Sequence, residues 1–172
     1  VVTANKDLIA TFGHELFQLA KENNVSLKFE AAVAGGIPII KPLTESLYGN
    51  GINSIQAILN GTTNFILTKM DKEGLSYEEA LKEAQELGFA EANPESDVMG
   101  YDSARKLAIL SSLAFDQKFQ WSDISIEGIT NIDENDFKYA NKYFIFFFKV
   151  KEDNRRFIIV VTFLLFKKSQ NC

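Results

Sequence analysis

The sequence predicts an α/β fold of the α+β kind, a mixed β-sheet covered on one side by helices. Three observations carry this. Residues 25–33 and 52–59 hold apolar side chains in short, roughly alternating runs beside glycine, as strands do. Residues 8–19 and 76–87 repeat their apolar positions at the helical period. A further helix carrying Asp102 and Lys106 is apolar nearly all round from Leu107 onward, interrupted only by Ser111 and Ser112, which is how a buried helix reads.

At 172 residues, 46% hydrophobic and 24% charged, the chain can bury a real core and reads as one globular domain, residues 1–136, followed by an appendage at 137–172. The net charge of −5 comes with no basic patch interleaved with aromatics ahead of the C-terminal tail, so no nucleic-acid partner is expected. The apolar run at 157–166 is too short for a membrane span, which needs about 20 residues. Cys172 stands alone, which excludes an internal disulfide or a cysteine zinc site and makes a reducing, cytoplasmic setting the default. The opening Val1-Val2-Thr3 has neither an initiator methionine nor a signal pattern and reads as a cut into a longer chain.

Taken in order, Val1-Val2 reads as the end of a strand, and residues 3–7 (T-A-N-K-D) offer cap residues for a helix that Asn23-Asn24 stop. Lys6 falls in the first turn of that helix, against the helix dipole, so it is either a solvated surface lysine or held there by another requirement. The strand at 25–33 (V-S-L-K-F-E-A-A-V) carries Glu30, a carboxylate that needs a partner: an ordinary hydrogen bond or ion pair, or a hard cation held with backbone carbonyls. Gly35-Gly36-Ile37-Pro38 breaks the strand, and residues 39–48 form a short helix. Gly49-Asn50-Gly51 is a turn rather than a dinucleotide fingerprint, and no G-x-G-x-x-G or Walker sequence occurs elsewhere.

After the strand at 52–59, Asn60-Gly61-Thr62-Thr63-Asn64 reads as a polar hairpin-like or N-cap turn before a helix at 65–72. Ser76 with Glu79 three residues on is a capping box opening the next helix. A polar loop with Gly88 and Glu91 then closes on Pro94 and leads to the central helix, where Asp102 and Lys106 lie four residues apart on one face. Such a pair is either a solvated surface pair or, next to the acid at 91 and continuing into a buried stripe, a lysine placed for general-acid chemistry. Residues 115–127 form a connector with Trp121, and one more short helix follows at 136–143. Beyond 136 the composition changes. Eight of the fifteen phenylalanines fall in the last 36 residues, seven of them in two apolar runs around K-E-D-N-R-R that could pair as a hairpin, and the shift suggests foreign or frameshifted sequence.

Set side by side, V-V-T-A-N-K, F-E-A-A-V-A-G-G-I-P-I-I, I-L-N-G-T-T-N-F-I, L-G-F-A-E-A-N-P-E-S-D-V-M-G-Y-D-S-A-R-K-L-A-I-L and I-E-G-I-T-N-I-D resemble, in this order, the substrate and catalytic domain of homoserine dehydrogenase across residues 1–136. The resemblance implies reversible, NAD(P)H-dependent reduction of aspartate 4-semialdehyde to homoserine, on the route to threonine, methionine and isoleucine. It implies Lys106 as proton donor, Lys6 between nicotinamide and substrate, Asp102, Glu91 and Thr62 as substrate contacts, and Gly88 touching the cofactor. Glu30 with the carbonyls of Val33, Gly35 and Ile37 would match the family's monovalent cation site, usually described with sodium. A small amino-acid substrate and a homodimer formed through the sheet are the partners it implies. The family's cofactor domain and its C-terminal return are not expected in these residues, so the chain alone is expected to be inactive. Two other readings stay open: a non-catalytic amino-acid-binding or dimerisation module, and a truncated product without function.

Overall fold

The computed structural model describes residues 1–143, 148–151 and 158–161. The first helix, α1 (Lys6–Glu22), starts where the Asn5 side chain accepts the Leu8 N–H at 3.0 Å, and it ends at Asn23, whose N–H returns to the Leu19 carbonyl. Both stops were legible as asparagines, which cap because a short side-chain oxygen or amide can satisfy backbone groups that the helix leaves open.

The expected strand at 25–33 is not formed. Only Lys28 makes a bridge, parallel to Val2, and residues Glu30–Ala32 close into a 3-10 turn. The cause is Glu30: its carboxylate accepts the N–H groups of Ile39, Ile40 and Lys41 at 2.6, 2.8 and 2.9 Å, which draws the chain round onto the next helical turn. Ala34 and Gly35, both at positive φ (62° and 55°), complete the reversal. The helix expected at 39–48 is present in a wider form, a π-helical turn at Pro42–Ser46.

Strand β1 (Ile55–Ala57) is shorter than the expected 52–59. Of the two readings of residues 60–64, the N-cap turn is the one that forms. Asn60 caps helix α2 (Gly61–Glu73), so Gly61 to Asn64 form its first turn. Helix α3 (Tyr77–Glu86) opens with the expected capping box, in which the Glu79 N–H reaches the Ser76 hydroxyl and the Glu79 carboxylate accepts from Ser76. Gly88, at φ 77°, turns the chain out of α3. A short helix α4 (Glu95–Val98) precedes the central α5 (Tyr101–Phe115), and α6 (Glu134–Tyr143) closes the helical part.

Helix α5 is the buried rod expected from its sequence: Leu107, Ala108, Ile109, Leu110 and Ser111 are all nearly inaccessible. Around it lie two apolar clusters. One joins Ile66, Leu67 and Met70 of α2 to Ala80 and Ala84 of α3, Val98 and Phe137. The other joins Ile9 of α1 to Phe29, Val33, Ile40 and to Ile109 and Leu110 of α5.

A small sheet has the order β1-β3-β2, with β2 (Phe148–Lys151) antiparallel and β1 parallel to the central β3 (Ile158–Val161). The antiparallel pairing of β2 with β3, Phe148 opposite Val161, has the sense expected of the two apolar runs, with β2 starting at the last residue of the first run. The rest of those runs, and the expectation of a divergent or frameshifted tail, lie outside the described residues. Three short strands against six α-helices among the described residues make a mostly helical body with little sheet. Among the described residues the sheet is therefore smaller than the sequence suggests, the strand expected at 25–33 being replaced by the turn around Glu30.

Candidate active site

Three chain segments converge on Asp102, in the first turn of α5 and only 5% exposed. Its Oδ2 accepts from the Lys106 ammonium at 2.7 Å and from the Asn60 amide at 2.9 Å, while its Oδ1 lies 3.2 Å from the Lys6 ammonium at the start of α1. The α1 helix is held in place for this by a second contact, Asp7 to the Arg105 guanidinium at 3.1 Å, and Arg105 stacks over the Trp121 ring. Lys6 is thus held at a dipole-unfavourable position by an acid from another helix.

The Lys106 ammonium also donates to the Leu59 carbonyl at 2.8 Å. Two of its three hydrogens are engaged in this way, leaving one to meet an outside acceptor. Burial alone would push the Asp102 carboxyl up. The bonds from Lys106 and Asn60, the Lys106 charge and the Lys6 contact outweigh it and hold the group below its ordinary value of 3.8. The result is a carboxylate that stays ionised and fixes two ammonium groups at the mouth of a buried helix.

The structure brings Lys6, Asp102 and Lys106 together and places the other expected residues around them with different closeness. Thr62, in the first turn of α2, donates to the Phe89 carbonyl at 2.6 Å, and Phe65 stacks on Phe89 with ring centroids 4.6 Å apart. The Gly88 turn is therefore tied to the start of α2. Glu91 is exposed; its backbone carbonyl accepts from Gln85, and among the described residues its carboxylate makes no bond to the cluster. The Asp102 carboxylate and the Lys106 amine are thus in direct contact, and the Glu91 carboxylate is not brought to them. Glu30 stands apart, its carboxyl pushed up by burial yet held below its ordinary value by the N–H groups of Lys41, Ile40 and Ile39 and by the Lys41 charge. That is the ordinary hydrogen-bond answer to a carboxylate in this segment.

Two residues that sequence reasoning missed belong to the cluster. The Asn60 amide, 4% exposed, donates to Asp97 at 2.6 Å as well as to Asp102. Their signal was present: Asn60 stood in the polar turn and Asp97 in the loop before the central helix, but spacing alone does not reveal that distant segments meet. A groove of about 920 Å³ lies elsewhere, between α1, the π turn and the C-terminal end of α5, and Lys106 does not line it.

A family model described as homoserine dehydrogenase matches residues 38–145. The homoserine dehydrogenase of Bacillus subtilis (strain 168) is 54% identical over 142 residues, which are 83% of this chain and 33% of that protein. That of Neisseria gonorrhoeae is 51% identical over the same coverage. Among solved structures, a homoserine dehydrogenase from Thiobacillus denitrificans superposes with a TM-score of 0.83 at 43% identity, covering 93% of this chain and 38% of that one. A hyperthermophilic archaeal homoserine dehydrogenase in complex with NADPH superposes at 0.72 with 34% identity, over 93% of this chain and 46% of that one. The chain spans about a third of the length of the curated relatives it matches. With the family model matched over more than half of its length, and with Lys6, Asp102 and Lys106 gathered at the end of its central helix, the chain belongs to the homoserine dehydrogenase family of oxidoreductases.

Proposed function

We propose that this chain is the substrate-side catalytic segment of a homoserine dehydrogenase, serving the reversible reduction of aspartate 4-semialdehyde to homoserine. The observation that carries the reading is the Lys106 ammonium, oriented by Asp102 and the Leu59 carbonyl with one hydrogen left over. A nicotinamide cofactor, NAD(H) or NADP(H), supplies the hydride when bound. As hydride reaches the aldehyde carbon, the carbonyl π electrons move onto oxygen. Lys106 gives that oxygen its proton and is reprotonated from solvent, and the nearby Lys6 charge stabilises the alkoxide while it forms. Glu91, on the exposed loop, and Thr62 contact the amino-acid portion of the substrate, an acid being suited to its ammonium group. Gly88, with no side chain to block approach, meets the cofactor.

For a monovalent cation the oxygens that remain are backbone carbonyls. The Glu30 carboxylate already accepts three N–H groups, and the carbonyls of Val33, Gly35 and Ile37, in a loop turned by two left-handed residues, are the donor type that sodium takes. Glu30 itself does not need a cation to be satisfied. Homodimerisation and a place in threonine, methionine and isoleucine synthesis in the cytoplasm follow from the family reading. No described helix is long and apolar enough to cross a membrane.

The chain as given matches only a third of its relatives, and on this reading it turns nothing over by itself. The purified 172-residue chain is expected to show no NADPH oxidation dependent on aspartate 4-semialdehyde, and no saturable heat with homoserine in the absence of nucleotide. Saturable heat without nucleotide would favour a non-catalytic binding module instead. Substrate-dependent oxidation would overturn the expectation of inactivity.

A further inference from the structure

We infer that Asn60 is a positioning residue, whose one side-chain amide fixes the Asp102 carboxylate, and through it the Lys106 ammonium, to the first turn of α2. The inference rests on reading Asp102 and Lys106 as the pair that acts on substrate. Both ends of the amide are fully occupied. Its oxygen accepts the Thr63 N–H at 2.8 Å and the Thr63 hydroxyl at 3.0 Å, and its nitrogen donates to Asp97 at 2.6 Å and to Asp102 at 2.9 Å.

An amide nitrogen has two hydrogens, so each carboxylate receives one. The reverse orientation would turn the oxygen onto two carboxylates and set the NH2 against the Thr63 N–H, leaving three groups mismatched, since only the Thr63 hydroxyl can accept as well as donate. Asn60 therefore has one orientation, and more than nine-tenths of it is buried. The preceding residue completes the arrangement, because the Leu59 carbonyl accepts from Lys106. Two adjacent residues thus hold both members of the pair, one by its main chain and one by its side chain. The same cap sets where α2 begins, and so where Thr62 stands.

An N-cap alone does not require asparagine, since serine or aspartate would accept the Thr63 N–H as well. Only an amide both accepts that bond and donates two others. The charged groups facing Asp102 are Lys6 from α1, Lys106 from its own helix and Asp97 from α4, with the Asp7–Arg105 pair linking α1 to α5 alongside. Removing the amide donors leaves Asp97 and Asp102 near each other with nothing between them.

The test uses the 172-residue chain and follows the Asp102 carboxyl carbon by NMR through an acid titration. In Asn60→Ser, which keeps a capping oxygen, the Asp102 midpoint is expected to shift upward. In Ser76→Ala, which removes a cap from the neighbouring α3, it is expected to stay where it is in the wild type. An unchanged Asp102 midpoint in Asn60→Ser would reduce Asn60 to a helix cap and overturn the inference. Should Asn60→Ser not fold, the wild type decides: its Asn60 side-chain amide hydrogens are expected to shift as Asp102 titrates, and hydrogens indifferent to that titration would overturn the inference equally. Neither readout involves turnover. An upward shift in a protein later found to have no dehydrogenase chemistry would leave Asn60 as the clamp of the pair and overturn only the functional reading.

Discussion

Asp102 shows how a single side chain can be legible in kind and hidden in its surroundings. Its spacing to Lys106 is written in the sequence, and the structure keeps the pair at 2.7 Å, but nothing local announces that Lys6 and Asn60 come to the same carboxylate from more than 40 residues away. The sign of its contribution to stability is fixed by its depressed titration. A carboxylate held below its ordinary 3.8 adds stability that is complete above that value and is lost as pH falls through the lower, folded-state value. Asp102→Asn is therefore expected to flatten part of the acid loss in urea-unfolding midpoints between about pH 5 and pH 2; the other depressed acids, Glu30, Glu79 and Asp133, keep the remainder. An acid limb identical to that of the wild type would contradict the arrangement. Ser111 makes the opposite kind of prediction. Its hydroxyl is buried with no partner among the described residues, so Ser111→Ala is expected to raise stability by up to about 1 kcal/mol in the same assay.

At the scale of elements, the helices with explicit stops were legible, while of the expected strands the one at 52–59 came out shorter and the one at 25–33 did not form. Asn5, Asn23, Ser76 and Glu79 bond where their spacing says they should, because capping is a local transaction between a side chain and the backbone within four residues. The segment at 25–33 has the alternation of a strand but becomes a 3-10 turn, because Glu30 is claimed by backbone N–H groups nine to eleven residues later. Asn60 was readable as a cap and not as a clamp. Two glycines, Gly100 just before the central helix and Gly128 beyond its end, have no room for a substituent. At Gly100, with φ 84°, an added Cβ would stand 2.9 Å from the Ile126 side chain, and at Gly128 it would stand 2.7 Å from the Val98 carbonyl. The second clash is with backbone that cannot move aside, since the Ile129 N–H is bonded to that same carbonyl at 2.8 Å. Gly128→Ala is expected to destabilise the fold by about 2 kcal/mol, measured by urea unfolding. A neutral result would mean that the 98–129 contact is looser than the structure has it.

For the molecule as a whole, the order of the motifs foretold the family, while the balance of layers was misjudged. Two apolar clusters flank α5 and leave its N-terminal turn as the place where α1, α2 and α4 meet. That meeting is what makes a site out of residues 6, 60, 97, 102 and 106, and no window of sequence contains it. The central claim is that the ammonium held there protonates the substrate oxygen. The most direct measurement is turnover in a chimera in which residues 1–136 replace the matching stretch of the Bacillus subtilis relative, 54% identical over 142 residues. The account predicts reduction of aspartate 4-semialdehyde by the chimera and a fall in kcat of about a hundredfold or more in its Lys106→Met form. A folded chimera whose Lys106→Met form turns over at an undiminished rate would contradict it.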